Sequence, residues 1–243
     1  MPLYRDDAIV LRTHKLGEAD RIVSFLTRRH GRVRGVARGV RRTKSRFGAR
    51  AEPLGHVDVQ LAVGRSLDTI AQIETVAPYG SRLASDYPRW TTGLAMAEAA
   101  EKLTPVEEEP SPQQFLLLLG ALRALAQGER PPSLLLDSYL LRSMAVAGWS
   151  PSFRDCAQCG ATGPHPDLHP AAGGVVCRQC RPAGSVRPGD SAIELLGALL
   201  AGEWDVALAS ERRDRNSASG IVAAYLNWHL ERGLRSLILV DRD

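Results

Sequence analysis

Val57-Asp58-Val59-Gln60-Leu61-Ala62-Val63 alternates apolar and polar side chains through Leu61. Successive side chains of a strand point to opposite faces, so this period predicts a half-buried strand with Val57, Val59 and Leu61 on the core side. Gly64-Arg65-Ser66 reads as a turn, and Ile70, Ile73 and Val76 continue into a further strand. Upstream, Ala8-Ile9-Val10-Leu11 is a short apolar run. Asp20 to Thr27 carries Ile22, Val23, Phe25 and Leu26, and Gly31 turns the chain into an arginine-laced strand holding Val33 and Val36. Five short strands within about 75 residues suit a small closed barrel, of which the OB-fold is the commonest with that count. A β-sandwich usually needs about seven.

After residue 80 the period lengthens. Asp86 ahead of Pro88 predicts a helix toward Leu103, and Pro105-Val-Glu-Glu-Glu-Pro110 reads as a linker. Ser111-Pro-Gln-Gln114 predicts a capping box for a helix that is apolar nearly all round and therefore central, ended by Gly128. Ser133 is expected to cap the next helix, which runs through Leu140 and Leu141 toward Gly148. Ser191-Ala-Ile-Glu194 predicts another capping box, and Ser217 to Arg232 a last long helix stopped by Gly233. The fold class expected is therefore α+β: an OB-fold barrel over 1–80, then a helical domain over 81–243 with a zinc-binding insertion at about 150–187.

Charge is distributed unevenly. Residues 1–50 hold fourteen Arg or Lys against four Asp or Glu, while the other 193 residues hold 17 against 23. Only Lys15, Lys44 and Lys102 are lysines, which suggests a GC-rich genome, so clustering rather than arginine identity carries the signal. Between Arg28 and Arg50 the sequence contains ten basic residues and no acid. Arg28, Arg32, Arg34, Arg38, Arg41, Arg42, Lys44, Arg46 and Arg50 are the expected DNA-binding residues, with Arg29 in the same run. A guanidinium holds phosphate in a bidentate fork, and ten like charges repel unless an anion neutralises them. A solvated charge run is the bland alternative. Aromatics are few here (Tyr4, Phe25 and Phe47), so backbone electrostatics with little base preference are expected.

Cys156-Ala-Gln-Cys159 and Cys177-Arg-Gln-Cys180 are separated by 17 residues, a zinc-site spacing. Two residues between cysteines let both sulfurs of a tight knuckle face one ion, and a second knuckle completes a tetrahedron. Gly160 permits the turn that follows the first knuckle. Cys156, Cys159, Cys177 and Cys180 are thus expected to hold one structural zinc per chain. Four thiolates close the site, so His165 and His169 are read as loop histidines and zinc catalysis is disfavoured.

No phosphate loop, nucleophile elbow, zinc-protease helix or deaminase signature occurs. Asp6 and Asp7 read as a solvated strand end. The absence of catalytic motifs predicts a non-enzymatic protein, and the early charges and the shortness of the longest apolar run (Phe115 to Leu119) predict one of the cytosol without a signal peptide or membrane span. An RNA-binding zinc protein of the translation machinery, a nucleic-acid enzyme and a scaffold for an acidic protein are the rival readings.

Several stretches together resemble the RecO family of bacterial recombination mediators. They are Ala8-Ile-Val-Leu-Arg12, Gly17-Glu-Ala-Asp-Arg-Ile-Val23, Thr27-Arg-Arg-His-Gly31, Gly35-Val-Ala-Arg-Gly39, Arg41-Arg-Thr-Lys-Ser-Arg-Phe47, Gly148-Trp-Ser-Pro151 leading into Cys156, Gly173-Gly-Val-Val-Cys177 and Arg232-Gly-Leu-Arg-Ser236. The resemblance covers nearly the whole chain. It implies an N-terminal OB domain, a helical domain that in many members holds zinc, and location in the bacterial cytoplasm with the nucleoid. It implies binding of single- and double-stranded DNA, strand annealing, and loading of recombinase (RecA, met indirectly as its filament) onto strands coated by single-strand-binding protein (SSB), with RecR as partner. It also implies that the SSB tail meets the helical domain, for which Leu116–Leu119 and Leu134–Leu136 with Arg123, Arg130 or Arg142 are candidates.

Overall fold

The five expected strands form. In the computed structural model, which describes residues 2–42, 45, 47–230 and 233–240, they are β1 (Leu3–Leu16), β2 (Asp20–Thr27), β3 (Gly31–Ala37), β4 (His56–Ala62) and β5 (Asp68–Ala77). They close into a barrel in the order β1-β2-β3-β5-β4, the OB-fold arrangement. All neighbours are antiparallel except β3 and β5, which meet in parallel through Gly35–Asp68 and Val36–Thr69. β1 is much longer than the apolar run Ala8–Leu11 because it serves two neighbours, β4 along Leu3–Ile9 and β2 along Ala8–Leu16. A register shift between Val10 and Arg12 bends it from one partner to the other. Val57, Val59 and Leu61 point into the core as their alternation demands, beside Val10, Val23, Phe25, Val33, Ile70 and Ile73.

Three helices follow: α1 (Tyr79–Leu83), α2 (Tyr87–Leu103) and α3 (Pro112–Gln127). Asp86 caps α2, its carboxylate accepting the N–H of Arg89 at 3.1 Å. The buried face of α2 is built of small residues (Ala95, Ala97, Ala99, Ala100), which lets it lie close along β1. α3 differs from its sequence reading. It is one-sided, burying Phe115, Leu118, Leu122 and Leu125 while Leu116 is 51% exposed, and the Ser111 side chain forms no cap bond. Ser111 nonetheless holds the N-cap position and Pro112 the first helical one, as expected, its ring already fixed at a helical φ. Packing divides the chain into two compact units, 1–128 and 129–243, later than the change from strand to helix near 78 because α2 and α3 pack against β1.

The second unit contains α4 (Pro132–Val146), α5 (Asp190–Ala201), α6 (Trp204–Ala209) and α7 (Arg212–His229), with a small hairpin of β6 (Asp167–His169) and β7 (Gly174–Val176). α4, not α3, is buried all round: Leu134 through Leu141 are all shielded, against α5 and α7. Pro131 and Gly189 occupy the cap positions expected for serines, so Ser133 and Ser191 lie inside their helices. α7 begins at Arg212, five residues before the expected Ser217, and ends at His229. No helix among the described residues is long and apolar enough to cross a membrane.

Candidate nucleic-acid interface and metal centre

The arginine run is acid-free in sequence but not in space. Asp6, read as a solvated acid, is buried in β1 with its side chain 1% exposed. It accepts the backbone N–H of Arg29 at 2.9 Å, Arg29 Nε at 3.2 Å and His30 Nδ1–H at 2.7 Å. Burial pushes this carboxyl up, yet the hydrogen bonds from His30 and Arg29 outweigh it and hold it below the usual carboxylate range. Glu107, from the stretch between α2 and α3, lies 3.0 Å from Arg32 Nη1 and 2.6 Å from Arg34 Nε. Arg32 also donates to the carbonyls of Thr104 at 2.8 Å and Pro105 at 2.6 Å, leaving its side chain only 12% exposed. The expected linker is therefore a strap on β3, held by a parallel bridge between Arg32 and Glu107.

These contacts sort the predicted residues. Arg28, Arg38, Arg41 and Arg42 are exposed and form no ion pair among the described residues. The Arg41 backbone N–H donates to the Ala19 carbonyl at 3.0 Å, and its guanidinium makes a long 3.4 Å contact to the Gly17 carbonyl between β1 and β2. Arg38, Arg41 and Arg42 share the turn that follows β3. Arg50 is exposed at the 3-10 turn Gly48–Ala51. Arg34 reaches the surface but is engaged by Glu107, and Arg32 is not brought to the exposed set. Lys44 and Arg46 lie outside the described residues.

Beside this run opens a cleft of about 640 Å³ lined in part by Phe47, Arg50, Pro53 and Trp90. Trp90 adds an aromatic wall that an inventory of residues 1–50 misses. It sits on the first turn of α2, four residues past the Asp86 cap.

The four cysteines come together. Their sulfurs all lie within 4.8 Å of one another, and Cys159 and Cys177 are 3.8 Å apart. Bonds of about 2.3 Å to a central zinc place tetrahedral sulfurs about 3.8 Å apart, so the donor set fits that ion in number and in spacing. Each knuckle closes on its own backbone: Gly160, at φ +72°, donates to the Cys156 carbonyl at 2.8 Å, and Cys180 to that of Cys177 at 3.1 Å. The N–H of Cys177 donates to Cys156 Sγ at 3.3 Å, and with the N–H groups of Cys159 and Gln158 brings that thiol down to about 6. Cys180, hydrogen-bonded to Cys159 and Cys177, is pushed up to about 12. Four sulfurs gathered this closely could hold a metal ion, and a cation among them would favour their thiolate forms.

β7 anchors the first knuckle, Val175 accepting from the N–H of Ala157 at 2.8 Å. The Arg187 guanidinium holds Asp167 from the other strand, with Nε 2.8 Å from the carboxylate, and keeps that group low. His165 turns its Nε2 toward the Ala161 carbonyl at 2.9 Å, and neither it nor His169 joins the sulfur cluster.

The leucines considered for a tail-binding groove are mainly core. Leu118 and Leu134, Leu135 and Leu136 are buried, and Arg130 stacks over the Trp204 ring at 4.2 Å.

Two family models match the chain, recombination protein O N terminal over residues 1–79 and recombination protein O C terminal over 84–238. Curated relatives include the DNA repair protein RecO of Thermobifida fusca, 60% identical over 242 residues and covering all of both chains. Those of Streptomyces griseus and a Nocardioides species are each 59% identical, covering 100% and 99% of this chain and all of the relative. With a five-stranded OB barrel, a clustered cysteine quartet and likeness along its full length to proteins of DNA repair, the chain belongs to the RecO family.

Proposed function

We propose that this protein is a non-enzymatic recombination mediator that binds single- and double-stranded DNA by their phosphates and anneals complementary strands. It works beside RecR and single-strand-binding protein to help recombinase onto coated strands, in the bacterial cytoplasm at the nucleoid. The observation that carries this reading is the set of exposed guanidiniums without acidic partners among the described residues, Arg28, Arg38, Arg41 and Arg42, on the barrel of a DNA repair family member. Arg50, Lys44 and Arg46 extend the run in sequence. The barrel of 1–80 is the DNA-binding domain. The helical domain of 81–243, with its insertion at about 150–187, holds one structural zinc through Cys156, Cys159, Cys177 and Cys180.

Annealing needs no bond to be made or broken. Two strands repel through their phosphates, and a set of exposed guanidiniums that screens both at once lowers that barrier. The zinc supplies cross-linking of two knuckles, and a four-sulfur site has no open position for substrate.

The test is the quadruple variant Arg38→Ala, Arg41→Ala, Arg42→Ala, Lys44→Ala. Each lost contact should flatten the slope of log affinity against log salt by about 0.7 on single strands, without base preference. A folded variant that keeps wild-type affinity and slope would overturn the reading. Competition by RNA of equal length separates it from the translation alternative.

A further inference from the structure

A strap that crosses a basic strand can do so for packing alone, or it can occupy a place that a ligand also wants. Two sets of contacts hold this one, and they are separable. The first is made by backbone: Arg32 clasps the Thr104 and Pro105 carbonyls, the N–H of Glu108 donates to the Arg32 carbonyl at 2.9 Å, and Gly31 lets the strap close against β3. A Cβ on Gly31 would fall 1.8 Å from the Glu109 carbonyl oxygen. The second is the Glu107 carboxylate, whose one oxygen sits 2.6 Å from Arg34 Nε and 3.0 Å from Arg32 Nη1. Removing the second leaves the first intact.

An anionic oxygen between two guanidiniums is also how a nucleic-acid phosphate is held. Arg34 lies on the outer face of β3, where Gly31, Val33, Gly35 and Ala37 face inward, and Arg38 follows just past the strand's end. The Arg34 side chain is 41% exposed and that of Glu107 is 34% exposed, so solvent reaches the pair and an exposed pair of this kind is weak. We propose that Arg34 is a latent phosphate contact and that Glu107 occupies its place, so that a bound strand and the Glu107 carboxylate compete for one guanidinium. Arg32 keeps its backbone carbonyls throughout and serves as the strap's anchor. The inference rests on the DNA-binding reading above, to which it adds a contact that the Glu107 carboxylate withholds from the strand.

The experiment titrates a fluorescent oligo(dT) against the full-length protein over a series of salt concentrations. Glu107→Gln removes the competing charge and retains the shape. One added contact should steepen the salt slope by about 0.7 and tighten binding about fivefold at 0.1 M salt. Glu108→Gln removes the same charge one residue on, where no ion pair is made among the described residues, and should give a clearly smaller gain. The double variant Glu107→Gln, Arg34→Gln should return toward wild type. Equal gains from both glutamates would reduce the effect to general electrostatics and overturn the proposal, as would a gain that survives loss of Arg34. So would a folded Glu107→Gln protein that binds like wild type.

Arg34→Gln alone reads the same competition if Glu107→Gln fails to fold. Near-wild-type binding supports the proposal, and a loss as large as that of Arg38→Gln overturns it. Absence of salt-dependent binding by the wild-type protein itself would show that the DNA reading had failed, and this inference with it.

Discussion

His30 and Asp6 are joined 24 residues apart through Nδ1 and Oδ2 at 2.7 Å, across the barrel wall where the turn after β2 folds back on β1. The carboxylate also accepts the N–H groups of Asp7 and Arg29, so it organises that turn from beneath. Asp6→Asn places a donor where donors already point. It should cost roughly 1–3 kcal/mol, read by denaturant unfolding. Since the folded carboxyl lies below its unfolded value, its contribution is present above about pH 4 and is lost as pH falls through the folded value. The gap between wild type and Asp6→Asn should therefore narrow in acid. A gap that is constant or widens below pH 4 contradicts this account.

The cysteine quartet predicts composition and stability together. Protein purified without chelator should contain about one zinc per chain by elemental analysis. Cys→Ala at any of the four should abolish stoichiometric metal and lower Tm, because folding of the two knuckles is coupled to the ion. Stripping by a strong chelator should expose the β6–β7 hairpin to proteolysis while the barrel remains protected. Full metal content in the Cys180→Ala protein would refute the four-sulfur assignment.

Gly31 adopts φ +67° where β2 turns into β3, with the strap pressed against it. A side chain there meets both a left-handed backbone and the Glu109 carbonyl. Gly31→Ala should cost at least about 2 kcal/mol, more than conformational strain by itself. If the cost is below about 1 kcal/mol, the strap is not seated as described.

The barrel was legible because its signals are local. The alternation at Val57 to Val63 and the apolar runs at Ala8 and Ile22 each report one strand's own faces. The cysteines were legible for a similar reason: two short knuckles specify their own turns and need only be brought together. The start at Ser111 was placed correctly and lacks only the side-chain bond; those at Ser133 and Ser191 were misread because they were judged by hydroxyl caps, whereas proline at the first turn or glycine before it does the work without a side-chain bond. α3 was misplaced because leucine content does not reveal which leucines find a neighbour. Leu116 finds none comparable to Leu118.

The basic run was legible only in part. Its partners, Asp6 before it and Glu107 well after it, are non-local, and a window of charge cannot contain them. The acidic stretch Glu107-Glu108-Glu109 between two prolines was a visible hint, in that it is the complement of a basic strand.

Arg32 and Arg38 provide the sharpest separation of structural from binding arginines. Both belong to the same run of sequence, and both were expected to meet DNA. Arg32 has donated to two carbonyls and a carboxylate, and little of it reaches solvent. Arg32→Ala should therefore cost roughly 2–4 kcal/mol, since it orphans the strap carbonyls and leaves Glu107 with one partner fewer. It should not flatten the salt slope of the molecules that remain folded. Arg38 is exposed and makes no ion pair among the described residues, so Arg38→Ala should alter stability by less than about 0.5 kcal/mol. Its salt slope on single strands should fall by about 0.7. Thermal melts and salt titrations on the same two preparations decide the matter. If Arg32→Ala is stable and loses the slope, Arg32 contacts phosphate and the strap is dispensable. If Arg38→Ala keeps the slope, the exposed turn after β3 is not on the phosphate track.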